Sequence, residues 1–279
     1  MSQAFPSMKN QIMKACRYVR GRIRSTFRVA LQNAEIFKQV CLVRVGRKLN
    51  RNRFTDADPI KIIYVKPRNI TYKHLSSQEI ETDSGIYIDS RGRHDKIRNL
   101  GRVADGNWDS RKNEFAKHNS LYSLLIDRFE KGLKWDESMV FKDYEVKVEN
   151  GERKWHGCLS KDELIRRASQ VDELFMKMKK EGYVLQRISR NSTRLSDKID
   201  EVTVNIDRYG NFIYNSSGAH RIVIALILGI DTIPVRVLLR HTQWQNVRDK
   251  FVKLKKNHNI PCHLLKYADH PDLQDILSD

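Results

Sequence analysis

Ser216-Ser217-Gly218-Ala219-His220-Arg221 gathers, in six consecutive residues, side chains suited to holding a phosphate group. Gly218 permits close backbone approach, Ser217 offers a hydroxyl, and Arg221 carries a planar fork that matches phosphate oxygens. His220 adds a donor that can also move a proton near neutral pH. The string stands between an alternating run, Val202 to Ile206 with Phe212 to Tyr214, and an apolar run, Ile222 to Leu228. A strand leading into a buried helix leaves free N–H groups and the positive end of the helix dipole at that point, and both favour an anion. The plain alternative is that Ser216 or Ser217 only caps the helix, while His220 and Arg221 pair with nearby acids.

The surrounding pattern predicts the elements that would position this turn. Val202 to Ile206 reads as a strand, Tyr209-Gly210 as a turn, Phe212 to Tyr214 as its partner, and about Gly218 to Leu228 as a helix with Gly229 at its C-terminal cap. A further strand is expected at Ile233 to Leu239, with a polar helical tail beyond Trp244. Upstream, strands are expected at Ile60 to Val65 and Gly85 to Ile88, and Gly101 to Asp109 reads as a loop. Leu121, Leu124, Leu125 and Phe129 suit a helix that stops at Gly132. Ser160 with Glu163 opens a second helix, which carries Leu164, Ala168, Val171, Leu174, Phe175 and Met178 on one face and ends near Gly182. The expected fold class is α+β with a mixed sheet.

The whole string from Gly218 through Leu228-Gly229-Ile230-Asp231-Thr232-Ile233-Pro234-Val235 resembles the ParB/sulfiredoxin-like superfamily. Its members open a helix with a Gly-x-His-Arg or Gly-Glu-Arg-Arg turn, follow it with a Leu-Gly-x-x-x-Ile-Pro-Val strand, and bind nucleotide phosphates on the turn. The resemblance covers about 40 residues, Glu201 to Arg240, and more loosely Ile60 to Trp108. It implies phosphate-binding roles for Ser217, Gly218, His220 and Arg221, a nucleotide triphosphate or diphosphate as ligand, and Mg2+ with it. Ala219 stands where sulfiredoxins carry their catalytic cysteine, so that activity is not expected, and about 40 residues after Arg240 leave little room for a partition protein's DNA-binding domain. The small-molecule kinases of the superfamily are nearest in motif, which makes a nucleotide-dependent phosphotransferase acting on a hydroxyl the leading expectation. The alternatives are a DNA-binding ParB-like protein or nuclease, and a nucleotide-sensing adaptor.

A transferase needs a base beside the acceptor hydroxyl. Asp105 and Asp109, from the loop after the early strands, are the candidate catalytic acids beside His220, although turn and capping duty explains them equally. Trp155-His156-Gly157-Cys158 either lines a ligand pocket or is core, and Arg240-His241 with Trp244 would approach the same pocket from a strand end. Arg236 and Arg240 share a face at period two, which solvent exposure also explains. Cys262-His263 and His270 show no metal-ligand spacing, nor do the four cysteines, so no metal ligands are expected in the protein and the thiols read as free.

Three units are expected: a basic amphipathic arm (1–54), a ParB/sulfiredoxin-like domain (55–245) with a helical insertion at about 110–190, and a helical tail (246–279). Of the chain's net charge of +18, the arm holds +12, with Glu35 its one acid. Ile12, Cys16, Val19, Ile23, Phe27, Ala30 and Leu31 recur there at helical spacing. Such a helix could dock on its own domain, lie on an anionic membrane, or cross a nucleic-acid backbone. No apolar run reaches the roughly 20 residues of a transmembrane helix, and the basic N-terminus lacks a secretion signal's apolar core. A cytoplasmic protein, peripheral to membrane or nucleoid, is the expectation.

Overall fold

In a computed structural model, the described residues are 8–50, 52–74, 80–81, 87–88, 97–110, 112–117, 119–192, 197, 199–215, 217–254 and 260–277; side-chain surroundings are described in the N-terminal helix only from Val29 onward. The fold is α+β. Helix α1 (Met8–Leu49) is followed by strands β1 (Ile62–Val65), β2 (Tyr72–His74), β3 (Ile80–Glu81), β4 (Tyr87–Ile88), β5 (Arg102–Ala104) and β6 (Lys112–Glu114). Helices α2 (Ser120–Phe129), α3 (Met139–Glu149) and α4 (Lys161–Glu181) form the insertion, followed by strands β7 (Val202–Ile206) and β8 (Phe212–Tyr214), helix α5 (Ala219–Ile227), strand β9 (Ile233–His241) and helix α6 (Thr242–Leu254).

The main sheet runs β1-β9-β7-β8-β2-β6, with β5 also on β9. It is mixed: β7 and β9 are parallel, as are β8 and β2, whereas β7 pairs β8 and β1 pairs β9 antiparallel. The first half of β9 carries β1 and its second half carries β5. That second pairing converts part of the expected Gly101 to Asp109 loop into a strand. Every residue of β7 and β9 is buried, as expected of central strands covered on both faces.

Helices α2 to α5 pack on one face of the sheet, where Val202, Val204, Ile206, Val235 and Val237 meet Leu124, Phe141, Leu164, Ala168, Val171 and the α5 residues Ile222 to Ala225. Ser160 caps α4 by accepting from Glu163 N–H at 3.3 Å, while the Glu163 carboxylate takes Leu159 N–H rather than Ser160 N–H. Tyr72–His74, Lys112–Glu114 and α3 were not legible as elements beforehand.

Two of the expected unit boundaries are crossed by packing. Ile36, Val40 and Val43 of α1 are buried, and Gln39 Nε2 donates to the carbonyls of Arg98 and Leu100, so the last third of the arm belongs to the body. The tail is likewise anchored. Arg248, fully buried, bonds Asp56 and Asp275, and Asp272 accepts from Arg240 and from Trp244 Nε1 at 2.9 Å each. Arg236 and Arg240 are therefore buried rather than solvent-facing, and His270 is a structural residue that caps Asp272 N–H and bonds Gly210 O.

Candidate functional site

Helix α5 begins at Gly218, which sits in the left-handed region at φ +83°. A Cβ there would lie 2.7 Å from Val202 Cγ2 and 3.2 Å from Val202 Cα, so glycine is required both by conformation and by the close pass over the start of β7. Thr203 fixes the approach to the turn: its Oγ1 accepts Ser217 N–H at 3.2 Å, and its backbone pairs with Ser217 O and Asn215 N–H. Ser216 lies outside the described residues. Among the first-turn amides, Ala219 N–H bonds the Tyr214 hydroxyl, and helical geometry leaves the amides of His220 and Arg221 without an intrahelical acceptor.

Arg221 divides its fork. Nη1 donates to Tyr183 Oη (2.8 Å), Asp200 O (3.2 Å) and Glu201 Oε2 (3.1 Å), while Nη2 lies 3.2 Å from where a Gly218 Cβ would stand. Glu201 is buried and fully engaged, since it also accepts from Tyr183 Oη and Gln186 N–H. Burial pushes its carboxyl up, against the pull of Gln186 N–H and Arg221. The cleft outside this network has room for only about one water, at about 20 Å³. The guanidinium is thus held in place before any ligand arrives.

His220 is held by the Trp155 indole, whose Nε1–H donates to His220 Nε2 at 2.9 Å. Indole nitrogen only donates, so the imidazole proton resides on Nδ1. Burial, and then the charges of His156, Arg167 and Arg221, hold the His220 pKa down at about 3. Sequence reasoning assigns His220 a proton-transfer role near neutral pH; in this field, without a ligand, burial favours its neutral form.

His156 lies against His220, ring centroids 5.0 Å apart, and its own pKa is lowered by burial and by Arg167 although its outer edge is exposed. The hairpin that delivers it holds Trp155, His156 and Gly157 at φ +36°, +65° and +93°. Two consecutive non-glycine residues in that region are strained by about 1–2 kcal/mol each, and such strain persists only where the surroundings impose it. Trp155 imposes it here, being wedged among Trp135, Phe141, Tyr144 and His220. Cys158 is buried, with its thiol bonded to Trp155 O.

The candidate acids fall elsewhere. Asp109 is buried beyond the far end of β7, where it accepts from Arg208 N, Nε and Nη2, and Trp108 beside it packs on His241. Burial works against its charge, but the Arg208 bonds win and its pKa is lowered. The turn lies at the opposite end of β7, next to Val202, and the five-residue strand between them spans roughly 13–17 Å at ~3.3 Å per residue. Asp109 and the exposed Asp105 beside it therefore do not meet His220, and Arg240-His241 with Trp244 belong to that far end too. Other groups take their place around the turn: His156, from the Trp155-His156-Gly157-Cys158 cluster, and Arg167, Glu201 and Asp200, which the sequence did not single out for a site. Trp155-His156 carried a usable signal, a bulky aromatic and an imidazole immediately before a glycine, but Arg167 looked like any polar position on α4.

The donors that converge here are amides, guanidiniums and an imidazole, which suit an anion and not a cation. The described residues contain no group of three or more His, Cys, Asp or Glu placed to hold a metal. Compared with known proteins, the chain matches no protein-family model, no curated protein and no solved structure.

Proposed function

We propose that the chain binds the phosphate groups of a nucleotide at the start of α5, as its resemblance to the ParB/sulfiredoxin-like superfamily implies. The observation that carries this reading is the accumulation of positive field at one helix N-terminus. The guanidiniums of Arg167 and Arg221 both act on His220 with the same sign, and the dipole of α5 adds to them. An anion bound there would be stabilised by that field. The preference for a nucleotide over inorganic phosphate rests on that resemblance alone.

The transferase part of the reading has lost its expected base, because Asp105 and Asp109 stand at the wrong end of the sheet and Glu201 is spent on Arg221, Tyr183 and Gln186. Binding without an assigned transfer step is the function supported best. Isothermal titration of ATP, CTP and inorganic phosphate in two buffers of different ionisation enthalpy tests it. Nucleotide binding should take up protons near pH 6, because an anion beside His220 and His156 raises both pKa values. Arg167→Ala should weaken binding by about 1–2 kcal/mol, below the range of a fully buried charged hydrogen bond because the side chain is partly exposed. Binding without proton uptake, and undiminished in Arg167→Ala, would place the ligand elsewhere.

A further inference from the structure

Helix α1 is 42 residues long, about 63 Å at 1.5 Å per residue, and among its described side chains, from Val29 onward, those of its final turns meet the body. The docked face is Ile36, Gln39, Val40 and Val43. Rotated away from it, Leu31, Phe37, Leu42, Val45 and Leu49 are all exposed, Phe37 by 65% and Leu49 by 83%. At three- and four-residue steps these positions, with Ala34 and Cys41, continue the sequence stripe Ile12, Cys16, Val19, Ile23, Phe27, Leu31. From Leu31 onward, the apolar positions in register with that sequence stripe are therefore not the face that docks.

We infer that this stripe lies on an anionic lipid bilayer, with α1 parallel to the surface. Charge chooses the occupant. Residues 1–54 carry +12, and Lys38, Arg44 and Lys48 stand between and beside the exposed apolar side chains, where long basic side chains reach headgroups while their stems stay in the apolar layer. A second copy of the helix would place two such charges against each other, which disfavours self-pairing. A nucleic-acid backbone would take the charge but make no use of Leu31, Leu42, Val45 and Leu49. An anionic bilayer uses both features at once. None of the helices is long and apolar enough to cross a membrane among the described residues, so the contact is interfacial. It is independent of the phosphate site.

The test uses the full chain with sedimented vesicles of phosphatidylcholine alone, or of three parts phosphatidylcholine to one part phosphatidylglycerol. Binding should require the anionic lipid and should weaken when salt is raised from about 0.1 M to about 1 M, which shortens the screening length from about 10 Å to about 3 Å. Leu31→Gln with Val45→Gln and Leu49→Gln keeps every charge and should weaken binding by about tenfold or more, since each apolar side chain removed costs burial in the interface. Met176→Gln, an exposed apolar position on α4, should change nothing. No vesicle binding by the full chain, or equal binding by the triple variant, overturns the proposal. So does duplex DNA binding that survives the triple variant in place of vesicle binding, or a dimer in sedimentation velocity that the variant abolishes.

Discussion

Replacing Arg221 by Met separates its two duties, because the side chain both props the turn and faces the proposed ligand. Its Nη1 neutralises Glu201, whose side chain is 1% exposed, against 11% for that of Arg221. Breaking a buried pair from one side leaves the partner's charge uncompensated, at about 3–5 kcal/mol. Glu201 keeps the Tyr183 hydroxyl and Gln186 N–H, so the lower end, about 3 kcal/mol, applies. Against a domain stability of about 5–15 kcal/mol that loss is easily measured as a lower urea midpoint at unchanged slope. Glu201→Gln added to Arg221→Met removes the stranded charge while keeping an acceptor for Gln186 N–H, and should restore at least half of the lost stability. Nucleotide affinity should behave differently. It should fall by about 1.5–3 kcal/mol in the single variant and stay low in the double, because Nη2 beside Gly218 is gone from both. A single variant destabilised by less than about 1 kcal/mol would refute the network's energetic role, and a double variant that binds nucleotide like the parent would refute the ligand role of Arg221.

Gly218→Ala should cost about 2–4 kcal/mol, from the left-handed φ and the contact with Val202, and Val202→Ala in the same chain should recover part of it in thermal melts. His220 is neutral in the folded chain with a pKa of about 3, against 6.5 when unfolded, so the unfolded chain binds the extra proton between those values and stability falls as pH drops below 6.5. Screening of a partly exposed ring reduces the loss to about 1 kcal/mol at pH 5, and the pH slope of unfolding should flatten in His220→Asn; an unchanged slope would assign the acid sensitivity to other groups. Arg248→Met leaves Asp56, Asp272 and Asp275 without their shared cation and should cost about 3–5 kcal/mol in urea titrations, with a loss under 1 kcal/mol counting against a charge-stitched tail.

What the sequence made legible is local. Strand β7, the Gly218 turn, helix α5 and strand β9 announce themselves by period and by turn glycines, and α4 by its Ser160 cap, all of which depend on neighbours a few residues away. The partners that decide the site are not local. Trp155 meets His220 across 65 positions and Asp109 meets Arg208 across 99, so no window over the sequence connects them. Arg240 alternates with Arg236 as a solvent-facing pair would, and becomes buried because Asp272, 32 residues later, supplies its carboxylate. Gln39 misleads in the same way: a polar residue on the docked face of α1 is satisfied by two backbone carbonyls that a helical wheel does not show.

The distribution of charge over the sheet gives a reason to prefer the α5 end as the binding end that does not depend on the motif. At the far end, acids and bases are matched: Asp109 with Arg208, Asp207 with Lys112, Asp272 with Arg240 and Arg248, and Asp56 with Arg248. Each carboxylate there is neutralised in place, which is what a structural cluster requires when charges are buried. At the α5 end the balance tips. Glu201 answers Arg221, and Asp200 sends its carboxylate to Arg190, while the described bond of Arg167 is to the neutral amide of Gln170 and His156 and His220 face each other. The described bond of Arg167 thus uses no carboxylate, and a positive charge beside a helix N-terminus favours an added anion. The far end gains nothing from such an anion, because its guanidiniums already hold carboxylates at 2.6–2.9 Å. The proposed placement of the ligand at the start of α5 agrees with this charge balance, and Asp109, which looked like a base in the sequence, is better understood as the counter-ion that fixes Arg208 and closes the other end of β7.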